Sequence, residues 1–245
     1  MLAILGGSGL SQLANLENVR RQAVRTPYGE PSGPLTFGRL SGRDVVFLAR
    51  HGYGHTIVPH DVNYRANVWA LHAQGVEGIV SVASVGGIRE EFRPGCLVIP
   101  DQILDYTWGR SHTFFDGPGV KVTHIDFTMP YSQTLRTRLL LAADSCGEAV
   151  FDGGVYATTQ GPRLETAAAI NRLEHDGADL VGMTGMPEAS LARELELDYA
   201  AVTVVANHAA GRGGSMNGIQ LELIEAVLDD AIRRVRRIIE AMVSQ

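Results

Sequence analysis

The chain has 245 residues, 45% of them hydrophobic and 20% charged, and a formal net charge of −6. These proportions are typical of a globular protein and exclude a disordered chain. The 27 acidic residues outnumber 21 scattered basic ones, so a binding surface for nucleic acid or anionic lipid is not expected.

The first predicted elements are a strand, a glycine loop and a hairpin. Residues 2–5 form a short apolar run that ends at residues 6–9, Gly-Gly-Ser-Gly, which indicates a buried strand followed by a flexible loop. Residues 35–37 and 45–48 flank a Ser-Gly pair at 41–42 and predict two hairpin strands. The second hairpin strand leads directly into an Arg-His pair.

A helix and a second strand that ends in glycine follow. The pattern over 63–74 predicts a helix, and the strand predicted over 79–85 ends in Gly86-Gly87. The residues expected on the apolar face of this helix are Ala66, Trp69, Ala70 and Ala73. Two buried strands therefore end in glycine, and both ends are candidate binding sites.

The second half of the chain is predicted to alternate strands and helices around one long loop. Helices are expected over 135–146, 164–175, 187–196 and 217–243, strands over 154–158, 180–181 and 199–206, and an ordered loop over 109–130. Loops of that length are commonly functional. No repeat or linker divides the pattern, so we expect one α/β domain over residues 1–245.

Two features bear on the compartment. Cys96 and Cys146 are too few for a disulfide framework and have no metal-site spacing, which favours a reducing cytoplasm. The N-terminus enters an apolar run without a basic stretch or a cleavage site, and no window approaches about 18 apolar residues. We therefore expect neither an export signal nor a membrane span.

The glycine loop at residues 6–9 matches none of the common phosphate or nucleophile motifs. Gln12 stands where a dinucleotide-binding loop needs a small residue, Leu10 where a nucleophile elbow needs glycine, and the single lysine, Lys121, excludes a P-loop. The loop amides and the Ser8 hydroxyl are suited to surround a phosphate, although a tight turn without a ligand fits equally well.

Three histidines close together in sequence do not predict a metal site. His51, His55 and His60 are separated by glycines and a proline, which prevent the helical spacing of a zinc site. Arg50 with His51 instead resembles an anion clamp, because arginine presents a planar fork and histidine a donor at one ring nitrogen. Alone, the pair is equally compatible with a surface salt bridge.

Polar residues also lie near the ends of later elements. Thr184 precedes a predicted helix, whose dipole favours an anion, although an ordinary N-cap is the commoner role. Glu165 begins another predicted helix and fits a first-turn acid equally well. Asn207 ends the last buried strand, where α/β folds bind ligands. The polar residues expected together at strand ends are Ser8, Arg50, His51, Ser84, Thr184 and Asn207.

Five ordered segments, spread nearly end to end, resemble the trimeric purine nucleoside phosphorylase superfamily and, within it, the methylthioadenosine phosphorylase branch. They are ILGGSGL at 4–10, LARHG at 48–52, VNYRANVWAL at 62–71, QGPRLET at 160–166 and MTGMPE at 183–188. The resemblance implies a three-layer α/β fold with a central mixed sheet flanked by helices. It implies that phosphate is held by Ser8, Arg50, His51, Ser84 and Thr184, and that Met183 lies under the ribose. It places Glu165, Asn207, His208 and Ala209 around the base and sugar.

Two departures from the methylthioadenosine enzymes concern the purine. Asn207 stands where those enzymes have an aspartate, and Glu165 replaces a small hydroxyl residue. A 6-oxopurine has acceptors at N7 and O6, to which the Asn207 amide can donate, and a donor at N1, which a Glu165 carboxylate can accept. Adenine N1 is an acceptor and would repel that carboxylate. Both changes favour hypoxanthine over adenine.

The resemblance implies an enzyme, a phosphate-dependent pentosyltransferase that needs no cofactor. With the base argument it predicts reversible phosphorolysis of S-methyl-5'-thioinosine to hypoxanthine and 5-methylthioribose 1-phosphate, with inorganic phosphate as co-substrate. Asn207 and Glu165 are the expected catalytic residues. The resemblance further implies a homotrimer in which the 109–130 loop, with His124, reaches a neighbouring subunit's site.

Other functions fit the same residues. An inosine or guanosine phosphorylase would differ only at the 5' substituent, and an apolar pocket including Met216, Ile219 or Leu221 would favour the methylthio group. A methylthioadenosine phosphorylase would differ at the base. A nucleoside-binding protein without turnover, or a hydrolase that uses water, remains the alternative outside the class.

Overall fold

The computed structural model describes residues 1–10, 13 and 15–245. Ser11, Gln12 and Ala14 lie outside the described residues, and the mismatch at Gln12 noted above lies there too. The strands are β1 (Leu2–Gly6), β2 (Glu17–Gln22), β3 (Leu35–Leu40), β4 (Arg43–Ala49), β5 (Gly78–Gly87), β6 (Leu97–Ile99), β7 (Gln102–Asp105), β8 (Phe151–Asp152), β9 (Val155–Thr158), β10 (Leu180–Gly182) and β11 (Asp198–His208). The helices are α1 (Tyr64–His72), α2 (Gln133–Ser145), α3 (Ala167–His175), α4 (Glu188–Glu194) and α5 (Leu221–Ser244).

The sheet is mixed, and its pairing changes along β5. β1 lies parallel to both β4 and β5, and its pairing with β5 ends at Ser81. β10 then pairs antiparallel with Gly86 and Gly87 of β5, whereas β11 runs parallel to β5 from Asp198 to His208. Between the β1 and β10 pairings, residues 82–85 of β5 face a gap in the described part of the sheet. This gap is where the glycine loop after β1 and the segment after β10 meet.

Helices cover both faces of the sheet and make three layers. Alternate side chains of β1 point to opposite faces, so Leu2 and Ile4 pack in the cluster with α2 and α5, whereas Ala3 and Leu5 pack in the cluster with α1 and α4. Burying a side chain such as Ile4 contributes about 1.5–3 kcal/mol. The predicted α/β fold with a central mixed sheet flanked by helices is confirmed, and the assignment of residues 1–245 to one domain stays a prediction.

The buried face of α1 differs from the predicted apolar face. Ala73 is exposed, so the prediction was wrong at this position, whereas Trp69 is half-buried and packs against the core as predicted. Asn67, which is not among the residues predicted for the apolar face, is fully buried. Its Oδ1 accepts from the Ser32 amide at 2.8 Å, and its Nδ2 donates to the Ser32 hydroxyl at 2.9 Å. A hydrogen-bonded amide can therefore occupy a core position that periodicity assigns to an apolar residue.

The helix boundaries in the structure also differ from the predicted ones, most importantly at α3. This helix begins at Ala167, because the Thr166 hydroxyl accepts from the Ala169 amide at 3.0 Å and caps it. Glu165 therefore lies in the preceding loop and not in the first helical turn. α4 begins at Glu188, one residue later than predicted, and Pro187 takes its N-cap position.

The strand β2 was not predicted, because its six residues are nearly all exposed and show no apolar alternation. α5, at 24 residues, has the length of a membrane-crossing helix but not the composition, since its outer face carries charged residues such as Arg233. Among the helices that the structure describes, none is long and apolar enough to span a bilayer.

Candidate active site

A cavity of about 360 Å³ lies at the gap beside residues 82–85 of β5. A cavity of this size can hold a small organic ligand. It brings together residues from strands that are far apart in sequence, as expected for the strand ends of an α/β sheet. Its lining includes Gly7, Ser8, Arg50, His51, Ala83, Ser84, Glu165, Met183, Thr184, Asn207 and Ala209.

The glycine loop forms one wall of this cavity. The Leu10 amide donates to the Gly7 carbonyl at 3.0 Å and closes a tight turn. Gly7 has no room for a side chain, because a Cβ would lie 2.5 Å from the Val82 carbonyl oxygen and 2.9 Å from Arg50 Nη1. Glycine thus lets the loop backbone approach β5, and the turn presents Ser8 to the cavity.

Arg50 is held by a buried carboxylate that the sequence analysis did not single out. Glu188 accepts from Arg50 Nε at 2.7 Å and from Nη2 at 2.9 Å, and both side chains are fully buried. Glu188 Oε1 also accepts from the hydroxyls of Ser81 and Tyr199, at 2.8 and 2.7 Å. The Arg50 guanidinium further donates to the Ser81 hydroxyl and the Val82 carbonyl. The alternative of a surface salt bridge is thereby excluded for Arg50.

Arg50 keeps little donor capacity for a ligand after these contacts. A guanidinium has five N–H groups, and four are directed at Glu188, Ser81 and Val82. The fifth belongs to Nη1, on the side of Gly7 and the cavity. Burial disfavours the charged form of Arg50, but the ion pair with Glu188 outweighs it and raises the pKa, so Arg50 is a rigid, charged donor.

His51 offers the cavity an acceptor and not the expected donor. Its Nδ1 lies 2.8 Å from the Ile57 carbonyl oxygen, which can only accept, so Nδ1 carries the hydrogen. Burial, followed by the positive charge of Arg50, lowers the pKa of His51 to about 4. The ring is therefore neutral near pH 7, and its Nε2 has a free lone pair.

Thr184 is buried beside the same cavity and is positioned by β9. The Tyr156 hydroxyl accepts from the Thr184 amide at 3.4 Å, and burial raises the pKa of Tyr156. The amide of Thr184 is thus used within the protein, and its side chain, which also interacts with the Tyr156 hydroxyl, lines the cavity. Three residues separate Thr184 from Glu188, where α4 begins.

Asn207 reaches the cavity because β11 is irregular at this point. The register between β11 and β5 shifts between Val205 and Asn207, and such bulges redirect side chains near binding sites. Ala206 and Asn207 consequently both line the cavity. The Asn207 Nδ2 donates to the His208 carbonyl at 2.7 Å, which orients the amide and leaves one N–H and Oδ1 free.

Glu165 lies across the cavity on the loop before α3. The Thr159 hydroxyl donates to Glu165 Oε1 at 2.6 Å, which holds the carboxylate in one orientation. Leu164 beside it also lines the cavity and is 41% exposed. Thr159 was not singled out from the sequence, because a hydroxyl six residues before an acid has no distinctive local pattern.

Three groups of predicted residues lie apart from this cavity. The ring of His208 packs against the turn at Gly213 and does not line the cavity. Met216 and Leu221 are 66% and 62% exposed, and of the predicted apolar pocket only Ile219 lies in the lining. The 109–130 loop contributes no lining residue either.

Arg110 attaches the 109–130 loop to the cavity wall. Its buried guanidinium donates to the carbonyls of Met183, Met186 and Gln160, at 2.8, 2.6 and 2.9 Å.

Within the part of the chain that the structure describes, no group of three or more metal-ligating side chains is present.

The fold and the cavity define the class of protein. The model of the phosphorylase superfamily matches residues 1–244, and the chain belongs to that superfamily. The resemblance inferred from the five sequence segments is confirmed by this match.

Three proteins show what this chain is similar to within the superfamily, two by sequence and one by structure. The chain is 51% identical to a probable S-methyl-5'-thioinosine phosphorylase of Pseudomonas syringae pv. tomato, over 99% of this chain and 98% of the relative. It is 45% identical to a 6-oxopurine nucleoside phosphorylase of Pyrococcus furiosus, over 96% of this chain and 90% of the relative. The structure resembles methylthioadenosine phosphorylase from Schistosoma mansoni in complex with adenine, with a TM-score of 0.92, 31% identity and coverage of 99% and 90%.

Proposed function

We propose that this protein catalyses the reversible phosphorolysis of S-methyl-5'-thioinosine to hypoxanthine and 5-methylthioribose 1-phosphate. The observation that carries the proposal is one cavity whose lining combines Asn207 and Glu165 with five residues suited to phosphate: Ser8, Arg50, His51, Ser84 and Thr184. The relative from Pseudomonas syringae, with the same named activity at 51% identity, supports it.

The first group of residues is suited to hold inorganic phosphate as the nucleophile. Ser8, Ser84 and Thr184 supply hydroxyls, Arg50 supplies its fifth N–H, and His51 supplies an acceptor. Phosphate attacks C1' of the thiosugar while the C1'–N9 bond breaks. Binding both reactants in line lowers the activation barrier, by up to ~7–11 kcal/mol in ideal intramolecular cases. No cofactor is required by this chemistry.

The second group is suited to accept the departing purine. Negative charge develops on the base as the C1'–N9 bond stretches, and the free N–H of Asn207 can donate to N7 of a 6-oxopurine. The Glu165 carboxylate can accept from N1–H. Met183 lines the same cavity, and we expect it to lie under the sugar.

Thr159 provides a test of the Glu165 assignment. Thr159→Val removes the hydroxyl that orients the carboxylate, so we expect kcat/KM for 6-oxopurine nucleosides to fall about tenfold, since a hydrogen bond to a charged group contributes about 1.5–3 kcal/mol. The KM for phosphate is expected to change little. Thr159→Ser, which keeps the hydroxyl, is the matched control and should retain activity. An unchanged kcat/KM in Thr159→Val would refute the role of Glu165 at the base.

A 5'-hydroxyl 6-oxopurine nucleoside, such as inosine or guanosine, is the second candidate substrate. The relative from Pyrococcus furiosus, at 45% identity, favours it, because the base edge would be the same. The apolar lining residues Ile57, Val58, Ile219 and Ile224 favour the methylthio group instead. An apolar surface gains free energy by covering a thioether and loses it by desolvating a hydroxyl.

Product analysis with and without phosphate tests the proposal. We expect purified protein to release hypoxanthine from S-methyl-5'-thioinosine only when phosphate is present, and faster than from inosine, guanosine or methylthioadenosine. Release without phosphate would show a hydrolase, and binding without release would show a nucleoside-binding protein. Either result would overturn the proposal.

We also propose a homotrimer in the cytoplasm. The support for subunit contacts is a set of exposed apolar side chains on one loop, with Trp108 72%, Val122 71% and Met129 50% exposed. Large apolar side chains that stay exposed on a single loop are suited to contacts with another subunit. Cys96 and Cys146 are both free thiols, which is compatible with a reducing compartment.

A further inference from the structure

The residues proposed to bind phosphate carry less positive charge than the presence of Arg50 among them suggests. Arg50 is their cation, but the guanidinium is paired in bidentate fashion with Glu188, at 2.7 and 2.9 Å, and neither side chain is exposed. The pair has no net charge. Phosphate near pH 7.5 is a dianion, so its charge must be balanced by hydrogen bonds or by a proton.

The other titratable groups around these residues add no fixed cation. Glu165, across the cavity, contributes a carboxylate. Tyr64 faces the Arg50–Glu188 pair, and burial raises its pKa, so the phenol stays neutral. His55 is exposed, and its ring lies 4.7 Å from that of His51. The two histidines are therefore the groups at which a proton can be added.

His51 is the buried member of this pair, and its tautomer is set. Nδ1 donates to the Ile57 carbonyl at 2.8 Å, and Nε2 makes no hydrogen bond within the part of the chain that the structure describes. The ring lines the cavity. A neutral ring in this tautomer accepts a hydrogen bond through Nε2 but cannot donate one. It repels a bare oxyanion and attracts a P–OH group.

We propose that His51 Nε2 accepts the proton that monohydrogen phosphate carries, so that phosphate brings its own proton to the site. Whether the proton stays on the phosphate oxygen or moves to Nε2, the complex holds the same number of protons. Sulfate has the same shape and charge but no proton, and it binds well only when His51 takes one from solvent. This inference rests on the proposed function, because it assumes that these residues bind phosphate.

The direction in which sulfate affinity changes with pH follows from the proton that monohydrogen phosphate carries and sulfate lacks. Free His51 is neutral above about pH 5, because its pKa is lowered to about 4 by burial and by the charge of Arg50. A bound dianion favours the charged ring and raises that pKa. Sulfate affinity is therefore expected to fall nearly tenfold for each pH unit between about pH 6 and about pH 8. The affinity for monohydrogen phosphate, calculated from its own concentration, is expected to change less than about twofold.

Isothermal titration calorimetry of the full chain with sodium sulfate and with sodium phosphate tests the proposal. Titrations at about pH 7.5 in two buffers of different ionisation enthalpy give the number of protons taken up. We expect about one proton per sulfate and about none per monohydrogen phosphate. Sulfate binding without proton uptake, at an affinity that does not change with pH, would overturn the proposal.

Variants identify the histidine that takes the proton. His51→Gln is expected to abolish proton uptake with sulfate, whereas His60→Gln, at an exposed histidine outside the cavity lining, should keep the wild-type value. Loss of uptake in His55→Gln, with uptake retained in His51→Gln, would place the proton on His55 and overturn the proposal. If His51→Gln does not fold, the titrations of the wild-type protein with sulfate and phosphate still test the proposal.

The failure of this inference is distinguishable from failure of the proposed function. If the protein performs phosphate-dependent phosphorolysis but binds sulfate without proton uptake, only the role of His51 is wrong. If neither anion binds and no phosphate-dependent product forms, the phosphate site itself is wrong and both proposals fail.

Discussion

Replacing Glu188 with glutamine is expected to lower the free energy of unfolding by about 3–5 kcal/mol, because it leaves the Arg50 charge buried without a counter-charge. Arg50 and Glu188 are fully buried, and Glu188 also accepts from the hydroxyls of Ser81 and Tyr199. Domains are commonly stable by only about 5–15 kcal/mol, so the loss is large. Denaturant unfolding measures it, and phosphate-dependent turnover is expected to fall with it.

The matched control is Glu196→Gln, since Glu196 lies just beyond the same helix and is exposed. The free energy of unfolding of this variant should lie within about 0.5 kcal/mol of the wild-type value. The double variant Arg50→Met with Glu188→Leu removes both charges and should be less destabilised than the two single changes predict together. It should still have no phosphate-dependent activity. Equal stability of Glu188→Gln and wild type would contradict the ion-pair account.

Asn207→Asp is expected to lower kcat/KM for 6-oxopurine nucleosides about 100-fold or more, the usual effect of losing one donor to developing negative charge. The new carboxylate would face the acceptors N7 and O6 of the base. It would also place an oxygen where Asn207 Nδ2 now donates to the His208 carbonyl at 2.7 Å. Part of the activity on 6-aminopurine nucleosides should be gained. Competition between S-methyl-5'-thioinosine and methylthioadenosine measures the change.

Asn171→Asp is the control for this prediction. Asn171 is exposed on α3, accepts from Arg212 at 2.9 Å and does not line the cavity. The base preference should stay unchanged in this variant. If it also stays unchanged in Asn207→Asp, the proposed recognition of the base edge is wrong.

Local patterns predicted the elements that carry the site. The apolar run at residues 2–5 and the glycines after it predicted β1 and its loop, and the two runs that flank the Ser-Gly pair at residues 41–42 predicted the hairpin of β3 and β4. Thr166 could have been recognised as the N-cap of α3 from its side-chain type, which would have placed Glu165 in a loop. The exposed strand β2 had no such signal, because an edge strand without a buried face shows no apolar alternation.

Partners that lie far apart in the chain could not be predicted in this way. Glu188 is 138 residues from Arg50 and Ser81 is 31 residues from it, so no local pattern links them. Asn67 is buried because Ser32, 35 residues away, supplies both of its partners. Periodicity reports which side of one element is apolar, and it does not report which polar group on another element satisfies a buried one.

The amino-acid sequence by itself determined the fold class, because glycines, caps and apolar runs act over a few residues. Through the resemblance of five segments it also gave the phosphorylase family and most of the polar residues that line the cavity. Only the tertiary structure decided how those residues are charged and oriented. The Glu188 carboxylate neutralises Arg50, the Ile57 carbonyl selects the tautomer of His51, and the register shift in β11 turns Asn207 toward the cavity. Charge and orientation depend on distances between atoms of separate strands, and those distances exist only after the sheet has formed.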